Sequence, residues 1–109
     1  MEIKDKINIA SDFGKTPGAR YRYEGAFSGE AFLEDILRPK FIQAVEGNYK
    51  ILILLDGVLG YPSSFISGSF GKLSVDNGSS KVLKHLEFES KNNLRIEKIL
   101  LEIKTPNRK

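Results

Sequence analysis

The chain of 109 residues is 40% hydrophobic and 28% charged, with a net charge of +3. This is the profile of one ordinary globular domain, spanning 1–109, with a single core. It contains no cysteine, which excludes a disulfide framework and thiolate chemistry and fits a reducing compartment. The longest apolar run, 51–55, is too short to cross a bilayer. The start Met1-Glu2-Ile3-Lys4-Asp5 lacks the apolar stretch of a secretion signal, so the expected location is the cytoplasm.

Ile3, Ile7 and Ile9 fall on one face of an alternating segment, the pattern of a strand with one wet side; Asp5 interrupts that face and places the strand near a sheet edge. Residues 10–27 follow as a polar stretch rich in glycine and aromatics. Either it is a long loop, of the kind that often carries function, or Ala19 to Glu24 forms a short second strand. Ser28 caps the first helix, with Glu30 in the first turn, and Leu33, Leu37, Phe41 and Val45 recur every four residues. Phe32, Ile36 and Ile42 broaden that stripe. Pro39 removes a backbone donor and predicts a kink or two short helices; Gly47-Asn48 ends the element.

The continuous run Ile51 to Leu55 predicts a central strand buried on both faces, closed by Asp56-Gly57. Phe65, Ile66, Phe70 and Leu73 then have helical spacing. Gly68 and Gly71 among them imply close packing of that helix against the sheet, since glycine otherwise costs helix stability. Residues 76–80 read as a turn, and Val82 to Glu89 as a third strand with Leu86 and Phe88 inward. Ile96, Ile99, Leu100 and Ile103 mark an amphipathic last helix ended by Pro106. Strand and helix alternate throughout, which predicts an α/β fold: a small mixed sheet with helices packed mainly on one face.

The chemistry-bearing residues do not converge in the sequence. His85 is the only histidine and reads as a surface or satisfied strand residue, whereas metal sites and triads need several groups together. Glu34 and Asp35 are adjacent on a helix and diverge. No phosphate-binding loop, dinucleotide fingerprint or nucleophile elbow is present. The expectation is a non-enzymatic protein with no metal and no cofactor. Residues 1–55 balance eight basic against eight acidic side chains, and residues 56–109 carry nine against six. Part of that excess is Lys104, Arg108 and Lys109, cations suited to the end of a helix. A nucleic-acid footprint needs a clustered basic face, so this thin excess reads as solvated surface.

Three places remain. Asp56 and Gly57 form a turn in which the carboxylate accepts hydrogen bonds from the residues that follow, Gly57 and Gly60 supplying unusual backbone angles. At Pro62-Ser63-Ser64, Pro62 either opens the turn or takes the first helical position. Either serine is then a simple N-cap, or an acceptor whose phosphate would be held at a helix start. Residues 17–23 interleave Arg20 and Arg22 with Tyr21 and Tyr23, a combination used by single-strand nucleic-acid binders. If the first two strands run parallel, both following helices begin at one rim of the sheet. Arg20 or Arg22 would then meet Ser28 and Ser63 in an anion pocket.

Leu55-Asp56-Gly57-Val58, Tyr61-Pro62-Ser63-Ser64-Phe65 and Phe70-Gly71-Lys72-Leu73 together resemble the STAS-like domain of unknown function found in bacteria. Upstream, Pro17-Gly18-Ala19-Arg20 and the run 25–32 are similar to that family's N-terminal part. The resemblance implies the fold of anti-sigma-factor antagonists and sulfate-transporter tails. In the antagonists a serine opening a helix is phosphorylated by a histidine-kinase-like ATPase that is also the binding partner. By position Ser63 is the implied acceptor, with Ser64 second; a proline stands where the antagonists have aspartate and Phe65 where they have glycine. The implied function is regulatory protein–protein interaction through Gly60, Tyr61, Pro62 and Phe65, with a histidine-kinase-like ATPase or a serine kinase as partner and no membrane. The alternative is a sensor of a nucleotide or other anion on Arg20, Arg22 and Ser28. A nucleic-acid role ranks third and an enzyme last.

Overall fold

A computed structural model describes residues 1–106; Arg108 and Lys109 lie outside the described residues. Three strands, β1 (Ile3–Asn8), β2 (Lys50–Leu54) and β3 (Leu86–Glu89), form a sheet in the order β1-β2-β3. Both pairs are parallel, with Ile7 beside Ile53 and Ile53 beside Phe88. The expected mixed sheet is therefore wholly parallel among the described residues. β1 is an edge strand, as the interrupting Asp5 implies; Asp5 is held at 3.0 Å by Lys40 Nζ.

The strand order explains why the helices share one face. Parallel crossovers are almost always right-handed, so two successive steps in one direction lay both connections on the same side of the sheet. Burial follows: Ile7, Ile51, Ile53 and Leu86 face inward and are buried, whereas Lys6, Glu87 and Glu89 are exposed. Leu52 and Leu54 remain half-buried on that second face, so β2 is central but is not enclosed on both sides. A five-residue apolar run reads the same in sequence whichever face is covered.

Helix α1 (29–47) follows a long connection that contains only the turns Ile9–Asp12 and Arg22–Glu24. The stretch 19–24 is thus not a strand. Ser28 caps α1 by accepting from the Ala31 N–H at 3.1 Å, and Asn48 ends it in the left-handed conformation. Pro39 does not end α1, which runs on through it. Instead a wide π-turn, Leu33–Leu37, precedes the proline, with the Arg38 N–H bonded to the Leu33 carbonyl; a missing donor is accommodated by re-pairing the turn before it. Leu33, Leu37 and Phe41 are buried, while Ile42, assigned to the same stripe, is exposed.

Helix α2 (63–77) also carries a π-turn, Ser67–Gly71. Ser69 Oγ donates to the Phe65 carbonyl at 2.7 Å, the back-bonding that loosens a regular helix. Gly78 at φ +90 separates α2 from a short helix α3 (Ser79–His85). The expected third strand is shorter by half as a result, and residues 76–80 join two helices. His85 ends α3, buried, with Nδ1 2.8 Å from the Tyr49 carbonyl and its ring edge-on to Phe41. Helix α4 (Asn93–Lys104) buries Ile99 and Ile103 and stops before Pro106.

The glycines of α2 serve contacts other than the expected one with the sheet. A Cβ on Gly68 would lie 3.0 Å from the Arg20 carbonyl, and one on Gly71 would meet the Glu102 side chain. Across from Gly68, a Cβ on Gly29 would lie 2.5 Å from the Phe65 carbonyl oxygen. Backbone-to-backbone contact between α1 and α2 thus fixes the core in which Phe32, Phe65 and Phe70 pack.

Candidate functional site

The loop 55–62 leaves the carboxyl end of β2, where open α/β sheets place their sites, and delivers Ser63 to the start of α2. Its conformation is set from α4. Arg95 spreads over it, Nη1 donating to the Leu55 carbonyl at 3.3 Å and Nη2 to those of Val58 at 2.9 Å and Leu59 at 3.3 Å. The same guanidinium stacks 5.3 Å from the Tyr61 ring centre. Lys98 Nζ donates to the Tyr61 carbonyl at 2.8 Å. Cations three residues apart on a helix are ordinary in a sequence, so nothing there marks Arg95 and Lys98 as the clamp.

Asp56 binds across the sheet. It accepts from Ser90 Oγ at 2.7 Å and from the Lys91 N–H at 3.0 Å, joining the loops after β2 and β3. The turn that follows it is not its donor, contrary to the sequence expectation. Gly57 does adopt a φ of +90, whereas Gly60 has no positive φ. The Ser90 hydroxyl first, then the Lys91 amide, hold the Asp56 carboxyl below its ordinary 3.8. Burial raises Asp76, but hydrogen bonds from Lys72 and Arg38 outweigh it and lower this group too. A carboxyl depressed in the folded state stabilises above its unfolded pKa and stops doing so as pH falls through the folded value. Resistance to urea is therefore expected to hold from neutral pH to about 4 and to fall below it. Asp56→Asn should flatten that fall, and an unchanged midpoint-against-pH curve in the variant would show that Asp56 is not part of it.

Tyr61 and Phe65, read from the sequence as partner-facing, are core side chains at 5% and 0% exposure. The Tyr61 hydroxyl donates to the Leu55 carbonyl at 2.7 Å, and burial pushes its pKa well up. Gly60 is half-buried and Pro62 exposed. Pro62 is neither the opening of the turn's bend nor the first helical residue. It is the N-cap, with ψ 149, and has no side-chain cap to give. Ser63 and Ser64 then take the first two helical positions, so neither is the N-cap expected of it. Ser63 is exposed and Ser64 half-buried. A shallow cleft beside them is lined by Ser63, Ile66, Lys98, Leu101 and Glu102.

Parallel β1 and β2 do bring the starts of α1 and α2 to one rim, but the anion pocket expected there is not assembled. Ser28 is fully buried and spent on its cap. The Ala19 and Arg20 carbonyls accept from the Gly29 and Glu30 amides at 3.1 and 2.9 Å, which closes the start of α1. Arg22 is taken by carboxylates, 3.1 Å from Glu34 and also bonded to Asp35. Arg20 turns instead to Ser67 Oγ, 2.7 Å away on α2.

Exposed leucines stand on the elements that flank Ser63, and Leu101 lines its cleft together with Lys98 and Glu102. Leu59 in the loop is 83% exposed, and Leu94 and Leu101 on α4 are 73% and 64% exposed. Leu94, Lys98 and Leu101 share one face of α4 by their spacing, and Lys98 ties that face to the loop. Among the described residues no helix is long and apolar enough to cross a membrane.

With a three-stranded parallel α/β core in place and a helix opening at Ser63, the family model for the STAS-like domain of unknown function (DUF4325) matches residues 28–94. The chain belongs to this STAS-like family. The match begins at the cap of α1 and ends in the first turn of α4, so it includes β2, the loop 55–62 and all of α2. No curated protein and no solved structure matches the chain significantly.

Proposed function

We propose that this STAS-like domain is a non-enzymatic regulatory module that binds a protein partner through the rim made by loop 56–62, the first turn of α2 and the outer face of α4. The observation that carries the reading is the exposed Ser63, set at a helix start between leucines that face solvent on both flanking elements. Exposed apolar side chains rimmed by polar ones, here the leucines with Ser63 and Lys98 at their border, are the composition of a recognition surface. The contact residues differ from those expected of the sequence: Leu59, Pro62, Leu94 and Leu101 take the place of Tyr61 and Phe65, which hold the rim from beneath.

Phosphate on Ser63 is the proposed switch, with Ser64 a poorer acceptor because it is half-buried. The first amides of α2 lack intrahelical partners and favour an anion. Lys98 on the shared cleft would be drawn toward the phosphate and away from the Tyr61 carbonyl, and Glu102 on the same cleft would be repelled. Nearly two added charges would thus change the polarity and the shape of the rim together. A serine kinase, such as the histidine-kinase-like ATPases that act on anti-sigma-factor antagonists, is the class of partner this requires.

Intact-mass measurement and peptide mapping of the protein from its native cells, across growth conditions, test the switch. A phosphate on Ser63 is the expected result. An unmodified Ser63 under every condition would leave the rim as a constitutive binding surface and remove the switch.

A further inference from the structure

The π-turns of α1 and α2 border one cleft, of about 440 Å3, a volume in the range of small-molecule sites. Such turns recur where helices have been shaped for function. The cleft shares no lining residue with the one at Ser63. Its exposed apolar lining comes from Tyr21 and Val75, with Gly68 and Gly71 also on its wall and Leu33 buried at 2% exposure. Its carboxylates are already engaged: Glu30 accepts from the Arg22 amide at 2.9 Å, and Glu34 from the Arg22 guanidinium at 3.1 Å. Arg38, one turn beyond Glu34 on α1, and Lys72 on α2 share a single carboxylate, Asp76.

Arg20 is the unusual member. It is half-buried and forms no ion pair among the described residues; its guanidinium donates to Ser67 Oγ at 2.7 Å, and its backbone N–H to Glu24 Oε1 at 3.3 Å. Its place is built: the Arg20 carbonyl caps the Glu30 amide, and its backbone packs on Gly68, where a Cβ would approach to 3.0 Å. A guanidinium with open donors beside a sheltered apolar surface binds an oxyanion more strongly than one in bulk water.

We propose that this cleft binds a small amphiphilic anion, one carboxylate or phosphate on a compact apolar body. The anionic group would sit on Arg20, in the cleft that Lys72 and Arg38 also line, and the body against Tyr21, Gly68 and Val75. The site does not depend on the Ser63 rim.

The test is titration of the 15N-labelled full chain with phenyl phosphate, phenylacetate and inorganic phosphate at constant ionic strength. Expected are saturable shifts at the Ser67, Gly68 and Gly71 amides with one or both aromatic probes, and none with inorganic phosphate. Arg20→Gln should weaken that binding by about tenfold or more, as loss of a charge-assisted contact does; Lys81→Gln, an exposed cation on α3, should leave it unchanged. Response to phenyl phosphate alone would assign a phosphate ester, and to phenylacetate alone a carboxylate. Absence of saturable shifts at these amides, or equal weakening by both variants, overturns the proposal. The wild-type amide map decides it even if Arg20→Gln folds poorly.

Discussion

Replacing Gly29 by alanine is expected to destabilise the fold by about 2–3 kcal/mol, lowering the melting temperature by roughly 10 °C or more. The added Cβ would fall 2.5 Å from the Phe65 carbonyl oxygen and 2.9 Å from the Gly68 carbonyl carbon. Both obstacles are backbone, so relief requires α1 and α2 to move apart, and Phe32, Phe65 and Phe70 lose their packing together. Helix propensity points the other way, favouring alanine by up to ~1 kcal/mol within a helix, so a loss of stability isolates the contact. Gly25→Ala is the matched control, since a Cβ there meets nothing within 4 Å. Thermal unfolding of the two variants decides the matter; equal melting temperatures would mean that the helices do not approach through Gly29.

Arg95→Ala is expected to cost about 2 kcal/mol and to free the loop 55–62. The Leu55 carbonyl would keep the Tyr61 hydroxyl, whereas those of Val58 and Leu59 would lose the guanidinium. The Tyr61 ring would also lose its stacked cation. Lysine cannot reproduce a planar fork over several carbonyls, so Arg95→Lys should recover only part of the loss. The local readout is the Leu59 amide, which donates to the Lys15 carbonyl at 2.9 Å. Its hydrogen exchange should accelerate in Arg95→Ala beyond the change at Ile53 in β2. Exchange raised equally at both positions would mean that Arg95 supports the whole fold and not the loop.

The helix–strand alternation was legible because its apolar residues repeat at the right periods and its stops are chemical. Ser28 caps, Asn48 turns left-handed and Pro106 follows the last helix. What was not legible depended on partners distant in sequence. Asp56 reads as a turn residue because its true donors, Ser90 and Lys91, are over thirty residues away. Tyr61 and Phe65 are given to a partner by the resemblance, although Phe65 also belongs to the apolar stripe of α2; the core reaches up beneath the turn and takes both side chains. The π-turns balance a missing proline donor and a serine back-bond against packing, and no single residue announces that balance.

The candidate site was located but not composed. Ser63 stood out in the sequence and is exposed at a helix start, yet the elements around it came only with the structure. Arg95 and Lys98 sit on the helix farthest along the chain, and these two clamps tie the loop that carries Leu59 to the helix that carries Leu94 and Leu101. The anion pocket failed for a related reason. Spacing could bring two helix starts to one rim, but it could not show that backbone carbonyls close one start while carboxylates take Arg22.

The most direct test of the rim is quantitative capture of its partner from native lysate by the wild-type chain, Leu101→Asp and Ser63→Asp, with Glu87→Lys on the open sheet face as control. A protein captured by the wild type and the control, and lost from both rim variants at unchanged melting temperature, is the predicted result. A partner retained equally by all four chains, or lost only from Glu87→Lys, would contradict the assignment of the rim as the binding surface.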